Sequence, residues 1–79
     1  MNQRAKLIAR IRSNPKDVRF DDACRAAESI EFVHKSTRGS HWAFSRTGEP
    51  SLLVFQNRGG KISAYQTRQL IVMLDKYEQ

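Results

Sequence analysis

At 79 residues, with one cysteine and a formal net charge of +6, the chain suits one small domain of limited core and modest stability, and excludes two. It lacks an apolar run near the ~20 residues that span a bilayer. Met1–Arg12 has basic residues but no uninterrupted apolar stretch or small-residue cleavage site, so neither a membrane anchor nor a secretory signal is expected. Cys24 alone excludes an internal disulfide and a cysteine-built metal cage, and a cytoplasmic location is the simple expectation.

The charge is uneven. Residues 34–68 hold Lys35, Arg38, Arg46, Arg58, Lys61 and Arg68 against Glu49 alone, while residues 1–33 hold seven basic and five acidic residues. A positive field from the middle of the chain favours a polyanion or an acidic protein. A basic, solvated surface without a specific ligand accounts for charge alone equally well.

In chain order, Asn2–Ser13 carries Leu7, Ile8 and Ile11 at helical spacing among four basic residues, which predicts a short amphipathic helix. Asn14-Pro15 ends it, because the residue before proline avoids the helical region. Val18-Arg19-Phe20 reads as an extended link. Asp21 or Asp22 supplies the N-cap of a second helix, about Asp21–Ser29, with Ala23, Cys24 and Ala27 as its buried stripe. Cys24 is expected there as a small core residue, not a nucleophile.

From Ile30 the period becomes two: Ile30, Phe32 and His34 alternate with Glu31, Val33 and Lys35, which predicts a strand. Thr37–Ser40 is a turn. A second strand runs from His41 to about Arg46, with Trp42 and Phe44 facing the core and His41, Ala43 and Ser45 on the other face. Thr47–Pro50 turns the chain into a third strand, Leu52–Gln56. The glycine-rich basic loop Asn57–Lys61 leads to a last helix, about Gln66–Glu78, whose stripe is Leu70, Ile71, Leu74 and Tyr77. The expected fold is α+β with two layers: order α-α-β-β-β-α, an antiparallel three-stranded sheet, and helices on one face.

His41 is the leading candidate for chemistry, since imidazole moves protons near neutral pH. Gly39 allows a positive φ, and the amides of the Gly39-Ser40 turn could form an anion-binding nest. Arg38 offers a fork of donors to phosphate oxygens. On RNA, a neutral His41 could take the proton of a 2′-hydroxyl, with Arg38, Lys35 or Lys61 stabilising the charge that develops on phosphate. An exposed histidine without a role fits the same residues.

His34 is either a second proton carrier or a packed rim histidine. Two histidines with no carboxylate or cysteine at ligand spacing make a poor metal site, so no metal is expected. Arg58-Gly59-Gly60-Lys61 could approach a nucleic-acid backbone or be an ordinary turn, and it lacks P-loop spacing. Ser40 has no nucleophile-elbow motif around it. Trp42 and Tyr65 are the aromatic candidates for base stacking, although alternation assigns Trp42 to the core.

Arg38-Gly-Ser-His-Trp-Ala-Phe44 resembles the R-G-S-H-H-x-F signature of the HicA toxin family. Arg58-Gly-Gly-Lys-Ile-Ser-Ala-Tyr-Gln-Thr-Arg-Gln-Leu70 is similar to that family's G-G-K-x-x-P-Y-Q-V-R-Q-L stretch, and Val18-Arg-Phe-Asp-Asp22 to the entry of its first helix. The resemblance covers residues 18–78 of a single domain, 1–79, and leaves the helix at 2–13 as an addition. Trp42 stands where many members have a second histidine, and Ala64 where proline is common.

The resemblance implies a double-stranded-RNA-binding-like fold and an mRNA-cleaving toxin of a type II toxin–antitoxin system. It implies that His41 is catalytic and that a HicB-type antitoxin neutralises the chain by direct binding. The resulting expectation is a metal-independent, cofactor-free endoribonuclease, monomeric when free. Lys35, Arg38, Gly39, Ser40, Arg58 and Lys61 would be the residues that contact RNA. A non-catalytic RNA-binding module of the same fold is the alternative, since shape readout of duplex RNA needs no histidine. A subunit that uses its positive face only to dock an acidic partner is a third reading.

Overall fold

Leu7, Ile8 and Ile11 are buried along one side of α1 (Gln3–Ser13), and Asn2 caps it, its side-chain oxygen accepting from the Ala5 N–H at 2.7 Å. In the computed structural model, which describes residues 2–78, five further elements follow. They are α2 (Phe20–Ser29), β1 (Val33–Arg38), β2 (His41–Ser45), β3 (Leu53–Gln56) and α3 (Ala64–Tyr77). Met1 and Gln79, the ends of the expected single domain, lie outside the described residues. The strands form an antiparallel sheet in the order β1-β2-β3. The architecture is therefore α+β in the order α-α-β-β-β-α, as periodicity predicts. No described helix is long and apolar enough to cross a membrane.

The core lies between the sheet and the helices. Phe44, Leu53 and Phe55 are buried on the covered face, joined by half-buried Trp42. Each such side chain contributes about 1.5–3 kcal/mol when taken out of water. Ala23, Ala26 and Ala27 of α2 are fully buried, and α2 touches α1, β3 and α3. The N-terminal helix is part of this core rather than an appendage. Arg10 crosses from α1 to Asp22 of α2 at 3.2 Å, and Arg12 reaches Asp75 and Glu78 at the end of α3.

Strand β1 runs on through Thr37 and Arg38, which the sequence reading assigns to the turn, and three element starts also differ. Helix α2 begins at Phe20, with Arg19 at its N-cap and no side-chain cap. Neither Asp21 nor Asp22 caps it, because both lie inside the first turn. Asp22 instead accepts from Arg10 and Arg25. Burial opposes its ionisation, but those two guanidiniums outweigh it and hold the carboxyl below its ordinary range. The Phe20 N–H is satisfied by the carbonyl of Gly60 at 2.8 Å.

The second difference is Ile30–Phe32, which the period of two assigns to a strand. Strand β1 starts only at Val33, and the preceding residues close α2. The Glu31 and Phe32 N–H groups bond back to the Glu28 and Ala27 carbonyls, with Glu31 at φ 70°. This is a Schellman ending with glutamate in the left-handed position that glycine favours. Ile30 and Phe32 are buried as expected, but as the two sides of a helix stop.

Third, α3 begins at Ala64, two residues before the expected start. Ser63 and Gln66 form a capping box, and Ser63 Oγ accepts from the Gln66 N–H at 3.1 Å.

The β2–β3 turn is tied to the end of α3 through Glu49. Its carboxylate accepts from Lys76 Nζ at 2.8 Å, from the Tyr77 hydroxyl at 2.5 Å and from the Ser51 N–H at 3.0 Å. The Lys76 contact first, then Tyr77 and Ser51, pull its pKa from 4.5 down to about 2. Arg46 lies 3.8 Å over the Tyr77 ring and donates to the Ile30 carbonyl at 2.8 Å, extending the tie to the end of α2.

Replacing Glu31 by glycine removes the left-handed cost without losing a buried contact, and is expected to raise the unfolding free energy by about 1 kcal/mol in urea titration. For Glu49 the folded pKa is depressed. Its contribution is present above the unfolded value and disappears as pH falls through the folded one. Glu49→Gln should therefore be less stable than wild type at neutral pH. The difference should shrink below pH 4.5 and vanish near pH 2, following the two pKa values. A difference independent of pH would show that the carboxylate charge is not what ties the turn to α3.

Candidate RNA-facing site on the open sheet face

The two-residue turn Gly39-Ser40 brings β2 back against β1, with Arg38 paired to His41. Gly39 has φ 58°, the positive value that a tight hairpin requires at its first turn position. His41 then pairs with Gln56 of β3. The Gln56 N–H is directed away from β2, to Gln66 Oε1 of α3 at 3.1 Å. His41 and Gln56 are thus a non-hydrogen-bonded pair, the kind whose side chains lie closer together.

Which residues share a face is decided by an irregularity in β1. His34 pairs with Phe44, but Ser36 pairs with Ala43, so Lys35 is an extra residue in the ladder. Strict alternation along β1 would put His34, Ser36 and Arg38 on one face. The bulge at Lys35 instead leaves His34 and Thr37 on the covered face, opposite Phe44 and Trp42. Ser36 and Arg38 are moved to the open face with Ala43 and His41. Arg38 stands beside His41 because the two-residue turn pairs them, and the extra residue in β1 is what keeps His34 off their face. The open face also holds Val33, Ser45, Val54 and Gln56.

Polar contacts organise this end of the sheet. Gln56 Nε2 donates to Ser40 Oγ at 3.3 Å, and Arg58 Nε donates to Gln56 Oε1 at 3.1 Å. The Asn57 N–H donates to the Ser40 carbonyl at 3.0 Å. One glutamine thus joins the hairpin turn, β3 and the basic loop, with His41 as its cross-strand neighbour. His41, Arg38, Ser40 and Arg58 are all exposed. Sequence reasoning missed Gln56. The signal was available in the meander, where a residue at the end of β3 falls opposite the start of β2.

The other expected contacts divide. Lys35 occupies the bulge, exposed. Arg58–Lys61 is a tight turn in which Gly59 and Gly60 take φ of 59° and 87°, and Arg58 and Lys61 exchange backbone hydrogen bonds. The Gly60 N–H is taken by Asn57 Oδ1 at 2.8 Å. The loop therefore offers side chains to a ligand rather than a nest of amides. Lys61 is ion-paired with Asp17, so of the two cations Arg58 is the one aligned with the open face through Gln56.

His34 is not placed with His41. Its ring stacks on Trp42, centroids 4.5 Å apart, on the covered face. Nε2 lies 3.1 Å from the Ser36 carbonyl and 2.7 Å from Thr37 Oγ1. A carbonyl can only accept, so Nε2 carries the hydrogen. Cys24 is half-buried against the core. Burial, with Glu28 and Asp21 nearby, pushes its thiol up to about 11, which leaves it protonated and a poor nucleophile. Among the described residues, no three of His, Cys, Asp or Glu gather as a metal site would require.

The arrangement is an exposed imidazole flanked by one guanidinium across β1 and by an amide with a second guanidinium across β3. It can exchange protons and bind an anion, and it has no carboxylate between Thr37 and Ala43 or between Val54 and Arg58. Comparison with family models, with curated proteins and with solved structures finds no match to the chain.

Proposed function

We propose that the chain is a HicA-like toxin, an endoribonuclease that cleaves mRNA with His41 as its proton carrier. The observation that carries this reading is the position of His41 on the uncovered sheet face, between Arg38 on one strand and Gln56, which holds Arg58, on the other. The three sequence motifs that resemble the family support it.

In the mechanism, neutral His41 accepts the proton of a 2′-hydroxyl. The 2′-oxygen attacks the adjacent phosphorus, and the bond to the 5′-oxygen breaks. The protonated ring, or water that it protonates, returns a proton to that leaving oxygen. Arg38 and Arg58 stabilise charge on the phosphoryl oxygens, a contribution that commonly exceeds that of proton transfer. Ser40 and Gln56 position the hairpin end. The step uses no metal and no cofactor. Inhibition of translation and growth follows from loss of message. A HicB-type antitoxin would neutralise the toxin by direct binding, and the charge of the middle segment suits an acidic partner.

Two experiments test the reading. Purified wild type in EDTA should cleave single-stranded RNA, and His41→Ala should lower the rate by ~100-fold or more, with loss of growth arrest on induction. An alanine variant that cleaves and arrests growth as well as wild type would overturn the assignment of His41. Salt-sensitive RNA binding with no strand scission would return the non-catalytic RNA-binding alternative.

The second experiment separates Arg38 from its neighbour in the bulge. Lys35→Ala removes one charge and should weaken RNA binding by only a few-fold. Arg38→Ala removes the guanidinium paired with His41 across the hairpin, so binding and cleavage should fall by about an order of magnitude beyond the Lys35 variant. Equal effects of the two changes would mean that Arg38 does not act beside His41.

A further inference from the structure

Trp42 is next to His41 in the chain but points to the covered face, and it is only half-buried. Its surroundings are organised around the ring. His34 stacks on it at an interplanar angle of 28°, and Phe20 meets it edge-on with centroids 5.4 Å apart. His34 is itself held by Thr37 and the Ser36 carbonyl. The surface of Trp42 left free by these contacts opens on a cavity of about 440 Å³, lined by Phe20, Asp21, Cys24, Arg25 and Trp42.

We infer that this cavity is a subsite for one unpaired nucleobase of the RNA whose backbone is engaged at His41. The inference rests on the ribonuclease reading and adds where a base of the substrate goes. Three features point to a base. The walls are an indole, a phenyl ring and a protonated thiol, which suit a flat heterocycle. The rim carries one acceptor, the exposed Asp21 carboxylate, beside Arg25, whose guanidinium is paired with Asp22. An exocyclic amine is the group that matches the Asp21 carboxylate. Finally, the ring is braced before any ligand arrives, so stacking requires little further ordering.

In this arrangement His34 is a positioning residue that fixes the indole plane. A duplex keeps its bases stacked and cannot supply one, so the substrate class is single-stranded RNA.

Trp42 is the sole tryptophan of the chain, so its fluorescence reports the cavity directly. The probe is a short single-stranded oligoribonucleotide titrated into the His41→Ala protein, which binds without cleaving. Saturable quenching is expected, with none from inorganic polyphosphate and little from a duplex of the same sequence. Trp42→Leu should weaken binding by about 5- to 150-fold, the range for loss of one base–aromatic stack. Trp42→Phe should retain most of the affinity.

RNA that binds without changing the fluorescence overturns the subsite, as does equal quenching by polyphosphate or duplex. Should Trp42→Leu fail to fold, the wild-type side chain in the His41→Ala background still gives the answer. Quenching by RNA in the absence of any cleavage by the wild type would keep the subsite and remove the catalytic reading. Cleavage without quenching would do the reverse, and absence of RNA binding by every readout would remove both.

Discussion

Ala23, Ala26 and Ala27, the fully buried residues of α2, present only methyl groups, so the helix comes down close upon the core and touches α1, β3 and α3. With so few residues, that approach closes one sheet face with short helices. A leucine at any of the three would lift α2 and open the layer, because overpacked positions in a dense core have nowhere to send the added volume. Once one face is closed, the other is left without a cover. The open face with His41 is thus a consequence of how the covered face is packed.

The second layer of specification is the bulge in β1. A sheet strand has two faces and a period of two, so one added residue reverses every assignment beyond it. In this chain the reversal puts His34 on the face opposite His41, where its exposed ring stacks on Trp42. The two imidazoles are therefore given different work. One is bare and flanked by cations. The other is stacked and hydrogen-bonded, its proton position set by a backbone carbonyl.

Much of this was legible in the sequence where the information is local. The apolar spacing of Leu7, Ile8 and Ile11 identifies α1, and alternation across His41–Phe44 assigns the faces of β2 correctly. The Ser63–Gln66 capping pattern was equally readable, and it gives the true start of α3. What escaped was set by partners far along the chain. Asp22 reads as a cap, but it is claimed by Arg10. Ile30 and Phe32 show the period of a strand because a helix stop also buries alternate residues around a left-handed one. The place of Lys35 depends on pairing with β2, and no pattern within β1 announces it. Lys61 looks like a free cation until Asp17 is brought beside it.

Gln66 spends one carbonyl oxygen on two amides, those of Ser63 and Gln56. The first turn of a helix and the last residue of a strand are thereby held by a single side chain. Helix ends fray more readily than sheet interiors open. When the start of α3 frays, the outward amide of Gln56 loses its acceptor at the same moment. That amide should thus exchange with solvent at the rhythm of the helix end rather than of the sheet to which it belongs. The cross-strand neighbour of His41 takes its time constant from a helix on the other side of the basic turn.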